Sequence, residues 1–126
     1  MSVVRSQNVP PGWPGRVWPP SAPDWELTAV EFLLDCCPAE FRNHPVLRRQ
    51  PLVLARFAGW QLDGAIRAGE VDLRTLRAQL SGRVSPEVVG QAAEVWQEAT
   101  AHLQRRRREV RLVADALGGA RFRVRL

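Results

Sequence analysis

Arg105-Arg106-Arg107-Arg108 is the densest run of a single chemistry in the chain. Guanidinium groups keep their charge at any ordinary pH and present a fork of donors that matches phosphate or carboxylate oxygens. On a helix, four consecutive residues spread over about 300° of the circumference, so the quartet does not share one face. The pattern turns Arg106 inward, toward a partner helix or an acid such as Asp63. It leaves Arg105, Arg107, Arg108 and Arg111, with Arg121, Arg123 and Arg125 of the C-terminal tail, as candidate contacts to a polyanion. Two features weigh against nucleic acid: the first half of the same helix is acidic, and no aromatic residue is interleaved with the arginines. A solvated, ion-paired face is the plainer reading of the quartet.

Other reactive types are sparse. His44 and His102 are the two histidines, and Cys36 and Cys37 the two cysteines. No CxxC or HxxxH spacing joins them, so a metal site has no support in the sequence. The adjacent cysteines do not form an ordinary bridge with each other, and beside Phe32, Leu33 and Leu34 they read as buried, inert thiols. Glu94 and Glu98 lie one turn apart, but the Glu-x-x-His of a carboxylate-bridged metal bundle is missing; arginines of the preceding helix are their expected partners. Neither GxxxxGK[ST] nor GxGxxG occurs. These absences point to a protein without catalytic residues, cofactor or small-molecule substrate.

The chain has 126 residues with 18 basic and 13 acidic ones, a net charge of +5. Every basic residue is arginine. From Ala99 onward eight arginines face Glu109 and Asp115, a net of +6, whereas the first 98 residues carry ten arginines against eleven acids, a net of −1. The length suits one domain. No run of 18 apolar residues is present, and Met1 to Pro11 lacks the apolar stretch of a secretory signal, so the expected compartment is the cytoplasm.

Hydrophobic periodicity supplies the scaffold. Val89, Trp96, Leu103, Val110 and Leu117 recur every seven residues, with Ala92, Ala99 and Val113 at offset positions, which marks a helix packed along its length against another. Ser85 and Pro86 open it and Gly118-Gly119 close it, giving a helix over about 86–117. A second stripe, Leu52, Ala55, Gly59, Leu62, Ile66, Gly69, Leu73, Leu76 and Leu80, predicts a helix over about 51–81. Gly69 and Asp72 also suit a break, but the stripe keeps phase across them and continuity is favoured. Gly82 punctuates the junction, so the two form an antiparallel hairpin centred near residue 84. That register sets Glu94 opposite Arg74, Glu98 near Arg67 and Arg74, and Arg105 opposite Asp63.

A short helix over about 24–37, capped by Ser21 or Asp24 and stopped by Pro38, packs across the hairpin. A helical turn is expected near Ala39 to Arg42, and fresh helix starts at Pro45 and Pro51. Residues 1–22 form a Pro/Trp-rich arm, with Trp13 or Trp18 packed on the body. The helical domain spans 23–119. Residues 120–126 form a basic tail in which Phe122, Val124 and Leu126 alternate with arginines as in an extended strand.

The Trp13-Pro14, Asp24-Trp25-Glu26, Leu33-Leu34-Asp35, Cys37-Pro38 and His44-Pro45-Val46-Leu47-Arg48-Arg49 segments, with the Arg-Phe and Arg-Leu ending, resemble an uncharacterised family of small arginine-rich helical proteins from GC-rich bacteria. The resemblance spans most of the chain and implies no activity and no site residue. Arginine in place of lysine fits such a genome's codon usage. Together these readings give an all-α, coiled-coil-like hairpin acting as a non-enzymatic interaction or assembly module. A protein partner or a second copy is expected, a homodimer foremost, with Trp60 and Trp96 as candidate contacts and burial in the core as the alternative for Trp96. A nucleic-acid-associated role through the arginine cluster is the alternative function.

Overall fold

A computed structural model describes residues 9–120, and among them every regular element is helical. In chain order these are α1 (Trp25–Leu34), a 3-10 turn (Ala39–Asn43), α2 (Pro45–Arg49), α3 (Pro51–Ala68), α4 (Leu73–Leu80) and α5 (Pro86–Leu117). No described helix is long and apolar enough to cross a membrane. The extended tail and its Arg121, Arg123 and Arg125 lie outside the described residues.

Local chemistry explains most boundaries. Pro45 and Pro51 each take the first turn of a helix, where a missing N–H costs nothing. The Ser85 hydroxyl accepts from Val88 N at 3.3 Å to cap α5. At the other end Gly119 has φ +100°, and Ala120 N donates to Asp115 O at 2.9 Å, the closing bond of a Schellman cap.

Three expectations require correction. The stripe from Leu52 to Leu80 is two helices, not one: α3 ends at Ala68, and Asp72 accepts from Arg74 N at 3.0 Å to start α4. Asp24 precedes α1 in a left-handed conformation, φ 58°, and makes no side-chain cap. And α1 stops at Leu34, so Cys36 and Cys37 sit in the turn beyond it; their amides bond to Leu33 O and Leu34 O, both at 3.0 Å.

The core lies where α1, α3 and the C-terminal half of α5 meet. Phe32, Leu33 and Leu34 of α1, Leu54 of α3, and Val110 and Val113 of α5 are fully buried. The arm closes this core from one side. Val17 and Pro14 are buried, and Trp13 lies against Trp25 with ring centroids 6.1 Å apart while its indole donates to Val17 O at 2.8 Å. Trp18 remains exposed, but its backbone N–H reaches Thr28 Oγ1 at 3.0 Å.

Beyond Gly69 the molecule thins to two helices. α4 has no buried residue, and within residues 86–102 of α5 only Val89 and Ala93 are buried. Several contacts join α5 to the segments before it: Asp63 meets Arg107, Gly69 meets Trp96 and Thr100, and Leu76 shares a groove with Ala92.

Candidate interaction sites

The four arginines of the quartet fall into three environments. Arg107 Nε donates to Asp63 Oδ1 at 2.7 Å, and its guanidinium lies where a Cβ on Gly59 would stand 3.3 Å away. Gly59 therefore makes room for this ion pair, which holds the Asp63 carboxyl below the usual aspartate range. Arg106 sits 5.3 Å over the Phe32 ring and pairs with Glu109 at 3.4 Å. It turns inward as expected, but onto α1 rather than Asp63. Arg105 and Arg108 are exposed. The expected Arg105–Asp63 pair is thus replaced by Arg107–Asp63, and Arg74 bonds its own cap, Asp72, rather than Glu94.

Arg105, Arg108 and Arg111 come together along one cleft of about 350 Å³, closed by Pro11 and Gly12 of the arm and by Glu109 and Leu112. None of the three has an acid at ion-pair distance among the described residues. Arg105 meets His102 Nδ1 at 3.3 Å, and Arg111 adds a weaker pull on Asp63.

Trp60 and Trp96 occupy separate grooves. Trp60, 65% exposed, stacks at 5.7 Å on Phe57 and lines a groove with Leu52, Arg56 and Arg111. Trp96 is 43% exposed and donates its indole N–H to Gly69 O at 3.3 Å, tying α5 to the end of α3. With Val71, Leu73, Leu76 and Ala92 it lines a groove of about 510 Å³ between α4 and α5, and Val88 and Val95 stand exposed nearby on α5. Together these side chains leave an apolar surface uncovered beyond Gly69.

A fourth cavity, about 470 Å³, gathers Arg16, Asp35, Cys36, His102 and Arg106. Such a set resembles a thiol site in composition, but burial works against the thiolate. Burial pushes the Cys36 thiol up despite Arg106, and the Cys36 sulfur donates to Phe32 O at 3.5 Å. Cys37 is pushed up to about 11, again by burial first. Asp35 is held low by Arg16, and Arg42 bridges it to Glu31. The cluster fastens the arm, α1 and the 3-10 turn together. The sequence did not reveal it, because its members come from four separate segments. Among the described residues no group of three or more His, Cys, Asp or Glu side chains is arranged to hold a metal.

Comparison of the chain with known protein families, with curated proteins and with solved structures gives no match.

Proposed function

We propose that this protein is a non-enzymatic interaction and assembly module whose contact surface is the distal hairpin, and that the occupant of that surface is a second copy of the chain. The observation that carries the reading is the apolar groove of Val71, Leu76, Ala92 and Trp96 beside exposed Val88 and Val95. Two helices alone leave such a face in water, and a second pair laid on it makes a four-helix bundle.

Charge supports a second copy as the partner. Residues 73–83 carry Arg74, Arg77 and Arg83 and no acid, while residues 86–104 carry Glu87, Glu94 and Glu98 and no arginine. A two-fold axis along the hairpin sets α4 of one protomer beside α5 of the other, basic against acidic.

Light scattering and sedimentation at low and high salt test the reading. The wild-type chain is expected to be a dimer at both, since apolar burial resists salt. Val95→Glu replaces a side chain that is already exposed, so it is expected to give a monomer with unchanged helical circular dichroism. A wild type that stays monomeric at high micromolar concentration, or a folded Val95→Glu that still dimerises, overturns it.

A further inference from the structure

We propose that the Arg105–Arg108–Arg111 cleft binds the phosphodiester backbone of a single polynucleotide strand. This is a second activity, at the opposite end of α5 from the assembly surface and independent of it. The quartet alone does not carry the inference, because Arg106 and Arg107 are spent on Glu109 and Asp63. What carries it is the sorting within α5: its three arginines left without an acid line one concave cleft.

Their spacing fits a strand. Residues three apart rise about 4.5 Å along a helix, so Arg105, Arg108 and Arg111 span about 9 Å. Phosphates of one strand advance about 3.4 Å each along a duplex axis and further when the strand is extended, so the span matches two or three of them. Arginine forks take two oxygens of such a group at once. Pro11 and Gly12 wall the cleft opposite α5, which leaves room for one backbone rather than a duplex, and Leu112 and Pro11 give an apolar border against which a sugar can rest. Glu109 is the one carboxylate in the lining, and Arg106 neutralises it.

Fluorescence anisotropy with a labelled 20-nucleotide single strand of mixed sequence, titrated with the full chain across a salt series, tests the assignment. Each phosphate contact on a single strand contributes about 0.7 to the slope of log affinity against log salt. Arg105→Gln/Arg108→Gln is therefore expected to lower the slope by about 1.4 and to weaken binding about 25-fold at 0.1 M salt. Arg49→Gln/Arg67→Gln removes the same net charge elsewhere and is expected to change affinity less than about threefold. Both pairs are exposed, and circular dichroism checks that each variant keeps its helices. The proposal is overturned if the wild type does not bind at low salt, if the cleft variant binds like the wild type, or if the control pair loses as much as the cleft pair.

Discussion

At the scale of single residues, the arginine-rich composition conceals a division of labour. Arg107 clamps α3 to α5 through Asp63, Arg106 covers Phe32, and Arg16, Arg42 and Arg48 bind Asp35 and Glu31 around α1. The carboxyls of Glu31, Asp35 and Asp63 are all held below their ordinary values by these partners. A lowered folded pKa contributes stability above the unfolded value, and that stability is lost as pH falls through the folded one. Denaturant midpoints are accordingly expected to be flat near neutrality and to drop as pH falls below about 4. Asp63→Asn should remove part of that acid dependence at a cost of about 0.5–1 kcal/mol, the modest size reflecting solvent access to the pair. The cysteines run the other way. With Cys37 held near 11 rather than 9, its thiolate fraction at neutral pH falls about 100-fold, so alkylation by iodoacetamide should be slow in the native protein and rapid in denaturant. The inward turn of Arg106 was legible from periodicity. The choice of Arg107 over Arg105 for Asp63 was not, because register says which turns lie level while the two arginines, about 200° apart around α5, differ in which of them faces α3.

Elements tell a similar story. Starts and stops marked by proline, serine and paired glycine were readable, since each acts through backbone geometry confined to one turn: Pro45, Pro51, Ser85-Pro86 and Gly118-Gly119 all bound helices where expected. The interruption after Ala68 was hidden, because Leu73, Leu76 and Leu80 return to the face that Leu62 and Ile66 leave. A stripe that keeps phase therefore does not prove continuity. Gly69 itself keeps helical dihedrals, φ −74° and ψ −11°, and is needed for a different reason, the close approach of α5. A Cβ at this position would stand 2.7 Å from Thr100 Oγ1 and 2.9 Å from its Cγ2, on a β-branched side chain that has little freedom to move away. Gly69→Ala is expected to destabilise the fold by about 1–3 kcal/mol, and Thr100→Ala in the same chain to recover much of it in a double-mutant cycle. The thiol cluster escaped notice for a different reason: its members are far apart in sequence, and only the packing of the arm on α1 gathers them.

Over the whole molecule, stability is concentrated at one end. The buried side chains of α1, α3 and the second half of α5 form one core, while α4 and the first half of α5 bury little beyond Val89 and Ala93. Phe32→Ala is expected to cost about 3–5 kcal/mol, measured by chemical denaturation. Amide exchange should be slowest around Leu54 and Val113 and faster by orders of magnitude in α4, which opens without disturbing the core. Of the architecture, the helical class was present in the hydrophobic pattern. The unequal thickness of the two ends was not, since it depends on which faces the arm and α1 cover.

α5 is neutral as a whole but divided. Glu87, Glu94 and Glu98 give its first half a charge of −3, and five arginines against Glu109 and Asp115 give its second half +3. With the charge centres about 17 Å apart along the axis, the side chains of the helix carry a dipole on the order of 250 D, about twice the backbone dipole that opposes it. The arginines of α4 offset part of this, leaving residues 70–104 at −2 and the other described residues at +3, so the molecule still has a preferred orientation near a charged surface. Facing a strongly negative one it is drawn arginine end first, which turns α4 and the Trp96 groove toward solution.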